Sequence, residues 1–320
     1  MKSGTEPFSK NHLPPFGQGG VGSLLQQLQQ GDKKALARCI TIVENELEGC
    51  QEILTSLKFH KNTPVIGVTG PPGAGKSTLI NAVIKKLTEQ GKSVGILAID
   101  PTSPFNYGSL LGDRLRMSEH FVNENVFIRS LATRGSLGGL SATIIEVVDI
   151  MRAFAFDYII VETVGVGQSE VEIVGLADTT ILVLVPESGD EIQTIKSGVM
   201  EIADVFVINK SDRDGASLFM KNILQLVHAK PFGNWSIPVI KAVATKQEGV
   251  DELIEAINKH QLVAVNTKRP YLLAEKAYRL IQNYRMKDVS KKIIQQQIES
   301  ELKKTEFNLY RFVRSFIEKK

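Results

Sequence analysis

Cysteine is nearly absent. The 320-residue chain holds two, Cys39 and Cys50. A disulfide framework needs more, and their spacing is neither a zinc nor a redox motif. Their scarcity points to a reducing compartment and a cytoplasmic location. Five histidines (His12, His60, His120, His228 and His260) are scattered, and none forms a ligand pattern with another histidine or a cysteine. No stretch approaches the ~20 consecutive apolar residues of a membrane-spanning helix. Residues 1–20 are rich in proline and glycine and lack the apolar core of a secretion signal, so they read as a flexible arm. Strong net charge is missing too: a formal +3 gives no argument for a nucleic-acid partner. The charge is uneven, since residues 268–320 carry fourteen Lys and Arg against six Asp and Glu. A solvated helix face accounts for that excess.

What remains is ordinary globular material. Hydrophobic content of 42% and charged content of 23% can bury a core without metal or disulfide. Residues 21–31 and 33–58 show apolar residues at helical spacing, with Gly31 closing the first helix and Asp32 placed as N-cap of the second. The texture then changes. Short apolar runs at Val65–Thr69, Ser93–Ile99, Tyr158–Glu162, Thr180–Val185, Val205–Asn209 and Pro238–Ala242 read as strands. Helical segments, Ser77–Gln90, Ala142–Phe154, Ala216–His228 and Gly249–His260, separate most of them. Continuous apolar strands interleaved with helices predict a mostly parallel sheet covered on both faces. After Pro270 the strand signal stops, and residues 271–285 and 288–318 read as two helices, the second with an apolar stripe through Ile293, Ile298, Leu302, Leu309 and Phe316.

Three segments carry chemistry. The run Gly70-Pro71-Pro72-Gly73-Ala74-Gly75-Lys76-Ser77, followed by Thr78, matches G-x-x-x-x-G-K-[ST] and lies between a strand and a helix. Its glycines let backbone N–H groups converge on phosphate oxygens, and the helix N-terminus adds positive potential. Lys76 suits the β- and γ-phosphates, and the Ser77 hydroxyl suits Mg2+. Asn209-Lys210-Ser211-Asp212 follows the strand at 205, where an open α/β sheet places its ligands. The Asp212 carboxylate can accept from the ring N–H and the exocyclic amine of guanine, a pair adenine lacks. Asn209 can bond the other edge, and the Lys210 stem can cover the ring. Glu162 ends an apolar strand, the position from which a P-loop enzyme holds its metal shell, and Gly165 follows where its N–H meets a γ-phosphate. Asp100 and Asp113 complete that shell or cap helices; Lys196 pairs with a carboxylate in one nucleotide state or is solvated. These segments predict a P-loop α/β protein that binds GTP and GDP with Mg2+. Its expected parts are an arm (1–20), a helical region (21–62), a nucleotide domain (63–262) and C-terminal helices (263–320).

The ordered segments GPPGAGKST (70–78), LAIDPTSP (97–104), GDRLRM (112–117), ATRGSLGGLS (132–141), VETVGVGQSE (161–170), ESGDEIQTIKSG (187–198) and NKSD (209–212) resemble the methylmalonyl-CoA mutase-associated GTPases. These are the MeaB/ArgK-type proteins of the SIMIBI class, older name LAO/AO transport-system ATPases or kinases. The resemblance spans nearly the whole chain beyond its first 20 residues. It implies that Asp100, Asp113 and Glu162 surround Mg2+, that Lys196 belongs to a switch loop sensing the partner enzyme, and that the C-terminal helices form a homodimer. It implies a GTP-hydrolysing chaperone that gates cofactor loading, protection and reactivation of an adenosylcobalamin-dependent acyl-CoA mutase, with methylmalonyl-CoA mutase first. Where relatives more often show a Thr-Ser-Ala sequence this chain has Lys241-Ala-Val-Ala-Thr245, and Val243 and Ala244 are expected to offer backbone N–H groups to the guanine carbonyl. No glutamine or arginine in the chain stands out as a water-positioning or charge-neutralising group, so slow turnover raised by the partner is expected. The rival functions are a metal-insertion GTPase for a nickel or cobalt enzyme, which the missing Cys/His motifs disfavour, and a transport-associated NTPase or kinase, which N-K-x-D and the absence of a membrane segment disfavour.

Overall fold

The computed structural model describes residues 20–59, 61–100, 117–120, 122–132, 143–163, 173–186, 203–228, 235–303 and 306–318. It divides into two compact units, Met1–Leu272 and Leu273–Lys320. The first unit is built on seven parallel strands: β1 (Val65–Thr69), β2 (Val94–Asp100), β3 (Val126–Ala132), β4 (Tyr158–Glu162), β5 (Thr179–Leu184), β6 (Val205–Ile208) and β7 (Val239–Lys241). Their order across the sheet is β3-β2-β4-β1-β5-β6-β7. Every ladder is parallel, as expected of strands buried on both faces; β1 and β5 are buried at every position.

Alternate residues face opposite layers. Val65, Ile159 and Val161 pack with helices α1 (Gly20–Gln29), α2 (Lys33–Glu44) and α5 (Ile144–Phe154). Ile66, Val68 and Ile160 pack on α4 (Lys76–Glu89) and on the start of α7 (Val250–Arg285). Farther along the first face, Leu182, Leu184, Phe206 and Ile208 meet Phe219, Ile223 and Val227 of α6 (Ala216–His228). The N-terminal helices are part of this core. Lys33 Nζ donates to Val126 O at 3.0 Å, and Arg129 donates to Glu44 at 2.6 Å, covering the edge strand β3. At the start of β4, Asp157 accepts from Ser93 N at 2.8 Å and from Lys61 at 3.0 Å.

Four features depart from the sequence expectations. β3 has no counterpart among the expected strands, because Arg129 and Ser130 interrupt its apolar run as an edge position permits. Residues 33–58 do not form one helix: Glu46 (φ 48°) and Gly49 (φ 84°) turn the chain before α3 (Cys50–Thr55). In the second unit, 288–318 also divides. Ser290 caps α8 (Lys291–Glu301), and Asn308 accepts from Arg311 N at 3.0 Å to start α9 (Leu309–Glu318). Upstream, α7 continues through Pro270 where a break was expected. Neither α8 nor α9 has a buried residue; Leu309, Val313 and Ile317 are exposed.

Candidate nucleotide site

The site lies at the C-terminal ends of β1, β4 and β6, where loops leave the sheet. Gly70 turns the chain out of β1 with φ 141°; a Cβ there would stand 2.1 Å from the backbone oxygen of Val183, so a side chain cannot be accommodated. Gly75 (φ 85°) is the N-cap of α4; it has no capping side chain, and the first turn holds no acid. The helix N-terminus is thus left for an anion. Lys76 is buried and folds back over its own loop, donating to Gly70 O at 2.8 Å and Pro71 O at 3.2 Å. Its ammonium lies over the backbone of the glycine-rich turn. Ala74 N donates to Pro71 O at 3.2 Å, which shapes the turn through Pro72 and Gly73.

Glu162 ends β4 next to β1, in register with Val68, and is buried. The Ser77 hydroxyl donates to Glu162 Oε1 at 2.7 Å. A hydroxyl and a carboxylate converging beside an uncapped helix start is an oxygen-donor arrangement suited to a hard divalent cation. Asp100 ends β2, the neighbour of β4, two positions beyond the residue paired with Glu162. The backbone therefore brings Asp100 to the same end of the sheet. Asp113, Gly165 and Lys196 lie outside the described residues.

Asn209 ties the base loop to the phosphate loop. It is 2% exposed; its Nδ2 donates to Ala74 O at 2.9 Å and its Oδ1 accepts from Ala244 N at 3.2 Å. Lys210, in the left-handed region at φ 55°, sends its ammonium to Gly73 O at 2.8 Å. Thr78 starts the second half of the first helical turn and is exposed. Asp212 is half-exposed, with Lys246 Nζ 3.6 Å from its Oδ2. Val243 and Ala244 do not present free N–H groups: Val243 N donates to Glu248 O at 3.1 Å, and Ala244 N to Asn209. Within residues 242–248 the N–H without a hydrogen bond is that of Thr245. Sequence reasoning missed it because the choice depends on how the loop closes on Asn209.

The model of the family described as methylmalonyl Co-A mutase-associated GTPase MeaB matches residues 36–300. The chain belongs to this family. It is 44% identical over 292 residues to a Pyrococcus abyssi protein named as a GTPase, covering 90% of this chain and 89% of that one. It is 38% identical over 244 residues to GTPase ArgK of Escherichia coli, covering 73% of each. It is 37% identical over 266 residues to the mouse methylmalonic aciduria type A homolog, mitochondrial, covering 76% of this chain and 64% of that one. Among solved structures, a LAO/AO transport system kinase aligns over 95% of this chain and 99% of its own, with a TM-score of 0.67 and 25% identity. This MeaB-family chain is a P-loop GTPase, and the site above is where guanine nucleotide chemistry is to be sought. Among its described residues no helix is long and apolar enough to cross a membrane.

Proposed function

We propose that this GTPase is a chaperone for an adenosylcobalamin-dependent acyl-CoA mutase, methylmalonyl-CoA mutase in the first instance, gating the loading, protection and reactivation of its cofactor. The observation that carries the reading is the family match over residues 36–300. The mouse relative's name points the same way. The phosphates occupy the loop 70–78, with Lys76 and the uncapped start of α4 neutralising their charge. Ser77, Glu162 and Asp100, together with Asp113, hold Mg2+. The cation, when bound, offsets charge on the phosphate oxygens. Asp212 accepts from the guanine N–H groups, Thr245 N–H meets the carbonyl, and the Lys210 stem covers the ring. Asn209 keeps the two loops together rather than touching the base through both its ends. Gly165 and Lys196 report the phosphate state to the partner. The exposed apolar residues of α8 and α9 supply the surface of a homodimer.

The test is affinity capture. The protein, loaded with a non-hydrolysable GTP analogue or with GDP, is immobilised and exposed to a purified cobalamin-dependent mutase and to cell extract. Retention of the mutase that changes with nucleotide supports the reading. Retention of a transport component instead, as the name of the solved kinase would suggest, refutes it. Turnover by the isolated chain is expected to be slow and to rise when the mutase is added.

A further inference from the structure

The main-chain ladder between β1 and β4 runs out at the site. Val68 pairs with Glu162, and Thr163 N donates to Val68 O at 3.1 Å as the last rung. One more link follows it. The Thr163 hydroxyl donates to the Thr69 hydroxyl at 3.0 Å, and both residues are buried, at 1% and 0% exposure. We propose that Thr69 and Thr163 are a positioning pair: their bond fixes the offset of the two strand ends that the Ser77–Glu162 contact requires.

The geometry explains why such a pair is useful. Glu162 and Thr163 are consecutive, so their side chains leave the strand on opposite faces. Glu162 faces α4 and bonds Ser77, just after the phosphate loop; Thr163 faces the other layer and bonds Thr69, just before it. The loop 70–75 is therefore gripped at both ends by two consecutive residues of β4. Up to Glu162, β4 is held by main-chain pairing to Val68 on one side and Ala98 on the other; beyond that point the Thr163–Thr69 bond adds a side-chain grip, without which the Glu162 carboxylate could shift relative to Ser77. Packing alone does not call for threonine here. Valine has nearly the same shape, suits a strand, and a valine pair would leave no orphaned polar group in the core.

That equivalence supplies the test, which rests on the reading of Ser77 and Glu162 as the magnesium side. Thr69→Val/Thr163→Val is compared with the parent in thermal midpoint, GTP turnover, the Mg2+ concentration for half-maximal turnover, and the gain in GDP affinity on adding Mg2+. The expected result is a midpoint close to the parent and unchanged GDP affinity without Mg2+. Turnover falls on the order of tenfold, the Mg2+ requirement rises, and the Mg2+-linked gain in GDP affinity shrinks. Thr163→Ser, which keeps the hydroxyl, stays near the parent. A valine pair with parental turnover and Mg2+ dependence overturns the proposal, as does a serine variant as impaired as the valine pair. Should the valine pair not fold, Thr69→Val read against Thr69→Ser makes the same comparison. Ser77→Ala and Glu162→Gln separate the two ideas: if neither alters the Mg2+ dependence, the metal reading has failed, whatever the threonines do.

Discussion

Asn209→Ala removes a side chain that joins three segments of the site. Its amide bonds Ala74 in the phosphate loop and Ala244 in the base loop, and both partners are buried, at 0% and 6% exposure. The truncation leaves a buried carbonyl and a buried N–H with nothing to replace Asn209. Each orphaned group costs about 1–3 kcal/mol, so the nucleotide-free protein should lose about 2–6 kcal/mol. For a unit of this size, at about 2–4 °C per kcal/mol, that is a fall of roughly 4–24 °C in thermal midpoint. GDP affinity should also drop by about a hundredfold, because the two loops are no longer held at one spacing before the ligand arrives. The assay is differential scanning fluorimetry of the nucleotide-free protein beside fluorescence titration with a labelled GDP. Lys210→Ala is the internal comparison. Its bond to Gly73 O is exposed, so its loss should shift the midpoint far less while still weakening nucleotide binding. If Asn209→Ala and Lys210→Ala lower the midpoint equally, or if Asn209→Ala leaves it unchanged, the idea that Asn209 is a buried tie between loops is wrong.

Asp212→Asn should lower affinity for GTP by about a thousandfold or more and raise affinity for XTP, whose base presents a carbonyl where guanine has its amine; parallel titrations decide it. Gly70→Ala should abolish nucleotide binding or folding, since its Cβ would meet the Val183 backbone oxygen at 2.1 Å and no flexible atom is there to yield; a soluble variant with parental GDP affinity would refute this. Burial works against ionisation of Asp157, but the Ser93 backbone N–H, Lys61 and the Ser93 hydroxyl outweigh it and hold its carboxyl below the usual carboxylate range. Its folded-state pKa is depressed, so its contribution is complete above the ordinary carboxylate pKa and is lost as pH falls through the lower folded value. Urea midpoints of the parent and Asp157→Asn should therefore converge only in acid; a constant gap there would contradict it. Burial pushes the Cys39 thiol up to about 12, with the Arg38 charge only partly opposing, so Cys39 should resist iodoacetamide until the protein is denatured, as peptide mass mapping would show.

Much of the fold was legible in local pattern. Five of the seven strands are continuous apolar runs because both faces of a parallel sheet are buried. The phosphate loop reads directly from Gly70 to Ser77, because only glycine accommodates those turns and the contact at Val183 O. The motif at 209–212 is equally local, since a strand end places it. Sequence patterning was silent wherever the outcome depended on a neighbour brought from far along the chain. The edge strand β3 is polar in its middle, and it is a strand because β2 pairs with it and α2 covers it. The base loop offers Thr245 N–H because Asn209, 35 residues earlier, takes the Ala244 N–H. The pairing of Thr69 with Thr163 spans 94 residues and needs β1 and β4 side by side. The sequence by itself determined the strands, the phosphate loop and the guanine motif, because backbone conformation and burial pattern are short-range. The tertiary structure decided which hydroxyl, amide and N–H groups are already satisfied, because hydrogen bonds between strand ends and loops exist only once the sheet has set their register.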